Sequence, residues 1–327
     1  MSQMAAELGL SRVAVSAVVN GNLGKIRLAA STVQRVRDHL HQRGYVRSRH
    51  ALHLQAAPTR VIGILQVDRL YGHLVDAFHR LVEGLGGAAS GLEVIVTSRE
   101  RLETAIQEIR GRGVTDLVWI HNNSTCEDYR DESVGRYFAN TRLVVYNFPF
   151  DSPLGEGRDL LDRGFALVGV HRATHTRQLA RFLRGLGHKA IALPDVDMTI
   201  APHQFYRDLF AREGLTVAES PLPFRAAEFL DAMRRQRITA AWFHGDSPAC
   251  QAIGELKALG VRVPEDLTVI GFDGTSRPFS QELTTLAMPV RAMVAKVRAI
   301  VSGTEKGLRH CFDMELVKGR THGPAWG

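Results

Sequence analysis

From Val61 onward, apolar runs of strand length alternate with helix-like stretches, and this alternation constrains the fold more than any other feature of the chain. Strand candidates are Val61–Val67, Leu92–Thr97, Leu117–Ile120, Leu143–Tyr146, Leu167–Val170, Ala190–Leu193, Ala240–Phe243 and Leu267–Gly271, with helices such as Thr174–Leu186 and Pro248–Leu259 between them. Short, continuously apolar strands joined by helical crossovers mean a parallel sheet covered on both faces. At 327 residues the chain exceeds one ordinary core. There are enough units for two doubly wound sheets in succession, sharing a cleft at the carboxyl ends of their strands.

The first 60 residues follow a different rhythm. Ser2 caps a short helix with Met4, Ala5 and Leu8 on one face, and Gly9 breaks it. Ser11 caps a second helix that starts at Arg12, buries Val15, Val18 and Val19, and ends at Asn20-Gly21. A third helix starts after Ser31, carries Val33, Val36 and Leu40, and closes at Gly44. Three small helices with a tight first turn form a helix-turn-helix pattern. The expected fold class is therefore α/β, with a three-helix head (residues 1–45), a linker (46–60) that holds Pro58 and no acidic residue, and two α/β subdomains (61–327).

Charge separates the same regions. Residues 1–60 hold nine Lys/Arg and two acidic residues, leaving 32 of each sign for the remainder, so the whole net charge of +7 sits at the head and linker. A polyanion partner or a solvated basic arm both fit that distribution. A helix entering the major groove presents its first turn to base edges. Here that turn offers Ser11, Arg12, Val13 and Ser16, with Ala17 behind. Arg12 either grips a guanine through two hydrogen bonds, worth about 1–3 kcal/mol of discrimination, or is a helix-end surface charge. Val13 suits a thymine methyl. Lys25, Arg27, Arg35 and Arg37 read as phosphate contacts or solvated charges.

Several function classes are disfavoured. No apolar run approaches the roughly 18 residues that span a bilayer, and no signal peptide is expected from the first residues. Cys126, Cys250 and Cys311 are scattered, without zinc-ligand spacing, so a reducing cytoplasm and no structural metal are expected. His171 and His175 have helical i, i+4 spacing but lack an acidic third ligand, and read as surface histidines. No nucleophile elbow, phosphate-binding loop, dinucleotide fingerprint or zinc-protease motif is present, so no cofactor and no enzyme activity are expected. The alternative is a sugar-modifying α/β enzyme, or a ligand-binding module with a degenerate head.

The run from Met4 to Gly21, MAAELGLSRVAVSAVVNG, resembles the helix-turn-helix of the LacI/GalR (lactose/galactose repressor) family, written there IAxxxGVSxxTVSRVLNG. Gly44-Tyr45 is similar to the family's LGY, residues 186–192 to its LGHRRIA, and residues 259–273 to its LGVxVPEDLxVxGFD, followed by Leu283-Thr284-Thr285-Leu286 and Pro289 at the family spacing. The resemblance spans essentially the whole chain. It implies a periplasmic-binding-protein-like sensor and a homodimer whose heads read a palindromic double-stranded operator, with repression as the family default. It also implies a linker that forms a hinge helix on DNA, with Ala51 in the family's alanine position and Leu54 as the wedge in the minor groove, a use of unstacking energy to gain a bent site. Arg47 stands where the family has proline, and Arg47 and Arg49 supply linker charge; Asn20 falls within the matched helix. Ala17 replaces the family's arginine reader, about three extra residues follow Asn20, and a start a few residues upstream is expected.

For the sensor, the resemblance implies effector contacts from loops at the strand ends, and a small sugar, sugar acid or sugar phosphate as effector. Asp246 corresponds to the family aspartate that binds ligand hydroxyls; Asp273 lies at another strand end and has a structural reading as well. Tyr71, His121, Asn122, Trp242 and His244 follow other expected strands, and Trp242 stacks on a sugar or lies in the core. His171-Arg172 replaces the family's Asp-Asn, and Pro202 replaces its clamping arginine. With His203, these departures make the cleft more basic and favour an acidic or phosphorylated ligand. The tail from Lys318 shows no heptad extension, which favours a dimer over a tetramer.

Overall fold

The computed structural model describes residues 2–20, 28–42, 60–68, 70, 72–86, 91–122, 130, 141–152, 155–195, 201–275 and 282–326. Contacts divide the chain into two units, 1–59 and 60–327. In the first, α1 (Ser2–Leu8), α2 (Arg12–Asn20) and α3 (Ala30–Gln42) enclose a small core of Met4, Ala5, Val15, Val18 and Val36. Gly9 ends α1 with φ +64°, a conformation glycine adopts at no steric cost. Ser11 Oγ accepts the backbone N–H of Ala14 at 3.1 Å, satisfying a donor that the first turn of α2 leaves open. Arg35 donates to the Leu8 carbonyl at 3.1 Å, so this side chain ties α3 to the end of α1. The third helix starts at Ala30, slightly ahead of the expected position.

The second unit contains β1 (Val61–Val67), α4 (His73–Gly86), β2 (Gly91–Thr97), α5 (Leu102–Gly111), β3 (Asp116–Ile120), β4 (Arg142–Phe150), α6 (Arg158–Asp162), β5 (Ala166–His171), α7 (Arg172–Gly185), β6 (Ala190–Ala192), α8 (Ala201–Arg212), β7 (Thr216–Ala218), α9 (Ala226–Gln236), β8 (Ala240–Trp242), α10 (Asp246–Ala258), β9 (Thr268–Asp273), β10 (Thr284–Ala287), α11 (Val290–Ser302), β11 (Arg309–Phe312) and β12 (Glu315–Val317). They build two six-stranded sheets, ordered β11-β5-β4-β3-β1-β2 and β12-β10-β9-β8-β6-β7. Every pairing is parallel except β10 with β12. The order reverses at β1 and at β6, the positions beside which open α/β sheets hold ligands. The chain passes between the sheets three times: from β5 into α7, from β10 into α11, and from β11 into β12.

Side-chain alternation explains the layering. In β1, Ile62 and Ile64 join one apolar cluster while Val61, Leu65 and Val67 join the other. In β4, Val144 and Tyr146 face the first cluster and Leu143 and Val145 the second. Past Asn147 the parity changes, and Phe148 and Phe150 fall on the second side. The cause is a bulge: the register with β5 shifts between Tyr146 and Phe148, and Asn147 adopts φ +68°. Gly169 of β5 permits the approach, since a Cβ there would stand 1.8 Å from the Phe148 carbonyl oxygen.

Candidate functional site

In the head, Ser11, Arg12 and Val13 are exposed, with Val13 at 65%. An apolar side chain held this far into solvent at the first turn of a capped helix is free to meet a base methyl. Ser16 is partly buried. Ala17 is buried, 6% exposed. Lys25, Arg27, Arg47, Arg49, Ala51, Leu54 and the side chain of Asn20 lie outside the described residues, as does Tyr71 in the sensor.

The strand ends of the second unit converge on a buried polar network. His121 and Asn122 follow β3 and are both buried. The β4 bulge turns Asn147 into the same place, where its Nδ2 donates to the His121 carbonyl at 3.0 Å. Asn147 Oδ1 then receives Arg172 at 3.2 Å and faces His73 Nε2 at 3.2 Å. His73, at the first turn of α4, meets Asp273 of β9 through Nδ1 and Oδ1 at 2.5 Å. Arg172, at the first turn of α7, also donates to the Tyr206 hydroxyl of α8 at 3.4 Å. The network thus links the first sheet, through Asn147, with the end of β9 in the second.

Asp273 sits at φ +110°, a region L-residues rarely adopt, and is buried. Its other oxygen occupies the space a side chain at residue 72 would need: a Cβ on Gly72 (φ +53°) would lie 1.8 Å from Asp273 Oδ2. Asp151, after β4, caps α7 by accepting from the backbone N–H groups of Ala173 at 2.7 Å and Thr174 at 3.0 Å. That cap fixes the turn on which His171 and Arg172 stand. His171 is partly exposed and lies 3.6 Å from Asp151.

Two further expected ligand contacts are buried as well. Trp242 is fully buried, covered by Tyr206, Phe210, His244 and Phe272, which fits its reading as a core residue. Asp246 is 2% exposed and its carboxylate accepts from Thr285 Oγ1 at 2.6 Å and Thr275 N–H at 2.7 Å. Burial pushes its pKa up to about 6 against those hydrogen bonds. Asp195, after β6, is likewise raised to about 6 by burial while accepting from the His244 N–H. His175 is buried as well, not a surface residue: its Nε2 accepts the Met314 N–H at 3.1 Å and its Nδ1 faces Gln178. Among the described residues no group of three or more His, Cys, Asp or Glu side chains could hold a metal ion. No helix among them is long and apolar enough to cross a membrane.

His73, Asn147, Tyr206 and Asp195 were not singled out by sequence reasoning. Asn147 carries a signal in retrospect, as the only amide within the apolar run LVVYNFPF.

Comparison with known proteins gives consistent matches. A family model described as a periplasmic binding protein-like domain matches residues 165–305. The HTH-type transcriptional regulator DegA of Bacillus subtilis is 24% identical over 324 residues, covering 92% of this chain and 90% of that protein. Among solved structures, the Lac repressor dimer bound to operator and the anti-inducer ONPF superposes with a TM-score of 0.71 at 20% identity, covering 97% of each chain. A LacI family transcriptional regulator, CcpA of Weissella paramesenteroides with bound glucose, gives 0.62 at 13% identity, covering 81% of this chain and 98% of that one.

Proposed function

We propose that this chain, which belongs to the LacI/GalR family of helix-turn-helix transcription regulators, binds a palindromic operator as a homodimer, represses transcription there, and is controlled by a small sugar, sugar acid or sugar phosphate held in the cleft. One observation carries the reading: a capped second helix that turns Arg12 and Val13 outward belongs to the same chain as a double α/β unit whose strand ends meet in a polar network. Residues 1–45 are the reading head, with Arg12, Val13 and Ser16 at base edges and Lys25 and Arg27 on phosphates. Residues 46–60 are the hinge, where Arg47 and Arg49 add charge and Leu54 wedges the minor groove. Tyr71, His121, Asn122, His171, Arg172, Trp242, Asp246 and Asp273 are the effector residues from the sequence, joined by His73 and Asn147. The protein works in the cytoplasm and carries out no reaction on its effector. Ligand and DNA act on one two-state equilibrium.

The test is selection from a random duplex library, followed by affinity measurements on the enriched sequence at several salt concentrations. A palindromic consensus with a steep salt slope is expected, because phosphate contacts release counterions. Leu54→Ala should weaken binding by at least tenfold and remove the preference at the consensus centre. Failure to enrich any sequence, with and without candidate ligands, would sink the reading.

A further inference from the structure

Arg172 is 4% exposed, and its charge is unbalanced. Its Nη2 meets Asn147 Oδ1 and its Nη1 meets the Tyr206 hydroxyl, both neutral, and its Nε has no partner. Among the described residues no carboxylate lies within 4.0 Å of the guanidinium. Burying an unpaired cation is costly, and proteins ordinarily supply a counter-charge.

The acids at these strand ends spend their hydrogen bonds elsewhere, and none forms an ion pair with Arg172. Asn147 is oriented by two one-way partners: Arg172 can only donate to its Oδ1, and the His121 carbonyl can only accept from its Nδ2. Its Oδ1 therefore also accepts from His73 Nε2, which carries a proton. The other ring nitrogen faces Asp273. Asp273 is thus engaged by His73 and makes no ion pair with Arg172. Asp195 is held by the His244 N–H, and Asp246 by Thr275 and Thr285. A second orphan donor, Trp242 Nε1, belongs to the same aromatic cluster through Tyr206 and Phe272. What the Arg172 Nε–H lacks is an acceptor, and what its guanidinium lacks is an ion-pair partner. A neutral hydroxyl would satisfy the Nε–H and leave the charge; a carboxylate or phosphate supplies both, in the geometry a guanidinium fork prefers.

We propose that the cleft is built for an effector bearing a carboxylate or phosphate group, and that Arg172 receives that group; this rests on the reading of the cleft as the effector site. Full-length protein is melted with D-gluconate, D-glucose 6-phosphate or D-glucose at equal concentration, alongside Arg172→Met and Arg172→Lys. At saturating concentration at least one anion should raise the Tm by about 5 °C, and glucose should not. Without ligand, Arg172→Met should melt at or above the wild-type temperature, since an unpaired buried charge is gone, and it should no longer respond to the anion. Arg172→Lys keeps the charge without the fork and should retain a weaker response, which decides the matter if the methionine variant does not fold. Three outcomes overturn the proposal: glucose stabilises as well as the anions do, neither anion stabilises the wild type, or the response survives in Arg172→Met. Duplex selection on the same preparation separates the two readings. Operator binding without an anion response sinks this proposal alone, and loss of both sinks the regulator reading with it.

Discussion

Gly72 and Asp273 form a matched pair: one has no side chain, and the other puts its carboxylate where that side chain would be. Gly72→Ala adds a strained backbone at φ +53°, worth about 1 kcal/mol, and pushes Asp273 off His73. Loss of one partner from a buried pair costs about 3–5 kcal/mol when nothing replaces it. The expected result is a fall in urea-unfolding stability well beyond the glycine term; a loss of 1 kcal/mol or less would mean that Asp273 moves aside freely. Asp246 makes a prediction of a different kind. Its folded pKa is raised to about 6 by burial, against about 3.9 in an unfolded chain. The folded state therefore holds the proton more tightly. The associated stability is complete below pH ~4 and is lost as pH rises through 6. Asp246→Asn is neutral throughout. Its stability relative to wild type should improve between pH 4 and pH 7 by up to about 3 kcal/mol, and a pH-independent difference would refute the assignment. Arg172, His121, Asn122 and Asp273 were legible in the sequence because each stands within two residues of the end of an expected apolar strand. Asn147 and His73 were not, because one depends on a bulge and the other on a contact 200 residues away.

At the scale of elements, the cap of α7 determines where Arg172 can be. Asp151 binds two backbone N–H groups and the Thr174 hydroxyl, the last at 2.6 Å. Asp151→Ala should destabilise the protein by about 1–2 kcal/mol. It should also weaken any response that depends on Arg172, which melting with D-gluconate and D-glucose 6-phosphate measures; an unchanged response would mean that the cap and the guanidinium are independent. The long buried strands of the first sheet were readable, since runs such as VIGIL and LVWI fit few other environments. The strand Leu143–Tyr146 extends through Phe150, hidden by Asn147 and Pro149, which interrupt the pattern. β7, β10, β11 and β12 were not identified as strands. They are three or four residues long, and β11 (Arg309–Phe312) and β12 carry polar residues that an edge position tolerates.

At the scale of the molecule, the sensing unit has to transmit a change along the length of its first sheet. The polar network lies at the carboxyl ends of the strands, and Arg60 precedes β1 at their amino ends. Seven residues of strand separate the two, roughly 23 Å at the usual rise. At the entry point Arg60 grips Asp116 with two hydrogen bonds of 2.9 and 3.1 Å, and Arg142 lies 3.5 Å from the same carboxylate. Asp116 is 4% exposed and Arg60 is partly exposed, and the two hydrogen bonds of the guanidinium fork define the geometry of the pair. It is the first described anchor of the second unit. Linkage requires that an effector change operator affinity by the same factor by which operator changes effector affinity, and such factors are typically 5–150. Arg60→Ala should leave the effector dissociation constant of the free protein within about twofold, because the cleft is at the far end of the sheet. The coupling factor should fall towards one in both directions. Titrating effector into free and operator-bound protein, for wild type and variant, gives both numbers. An unchanged coupling factor would make the Arg60–Asp116 pair a fastening of the sheet and nothing more, and the signal would then have to leave the sensor by another route.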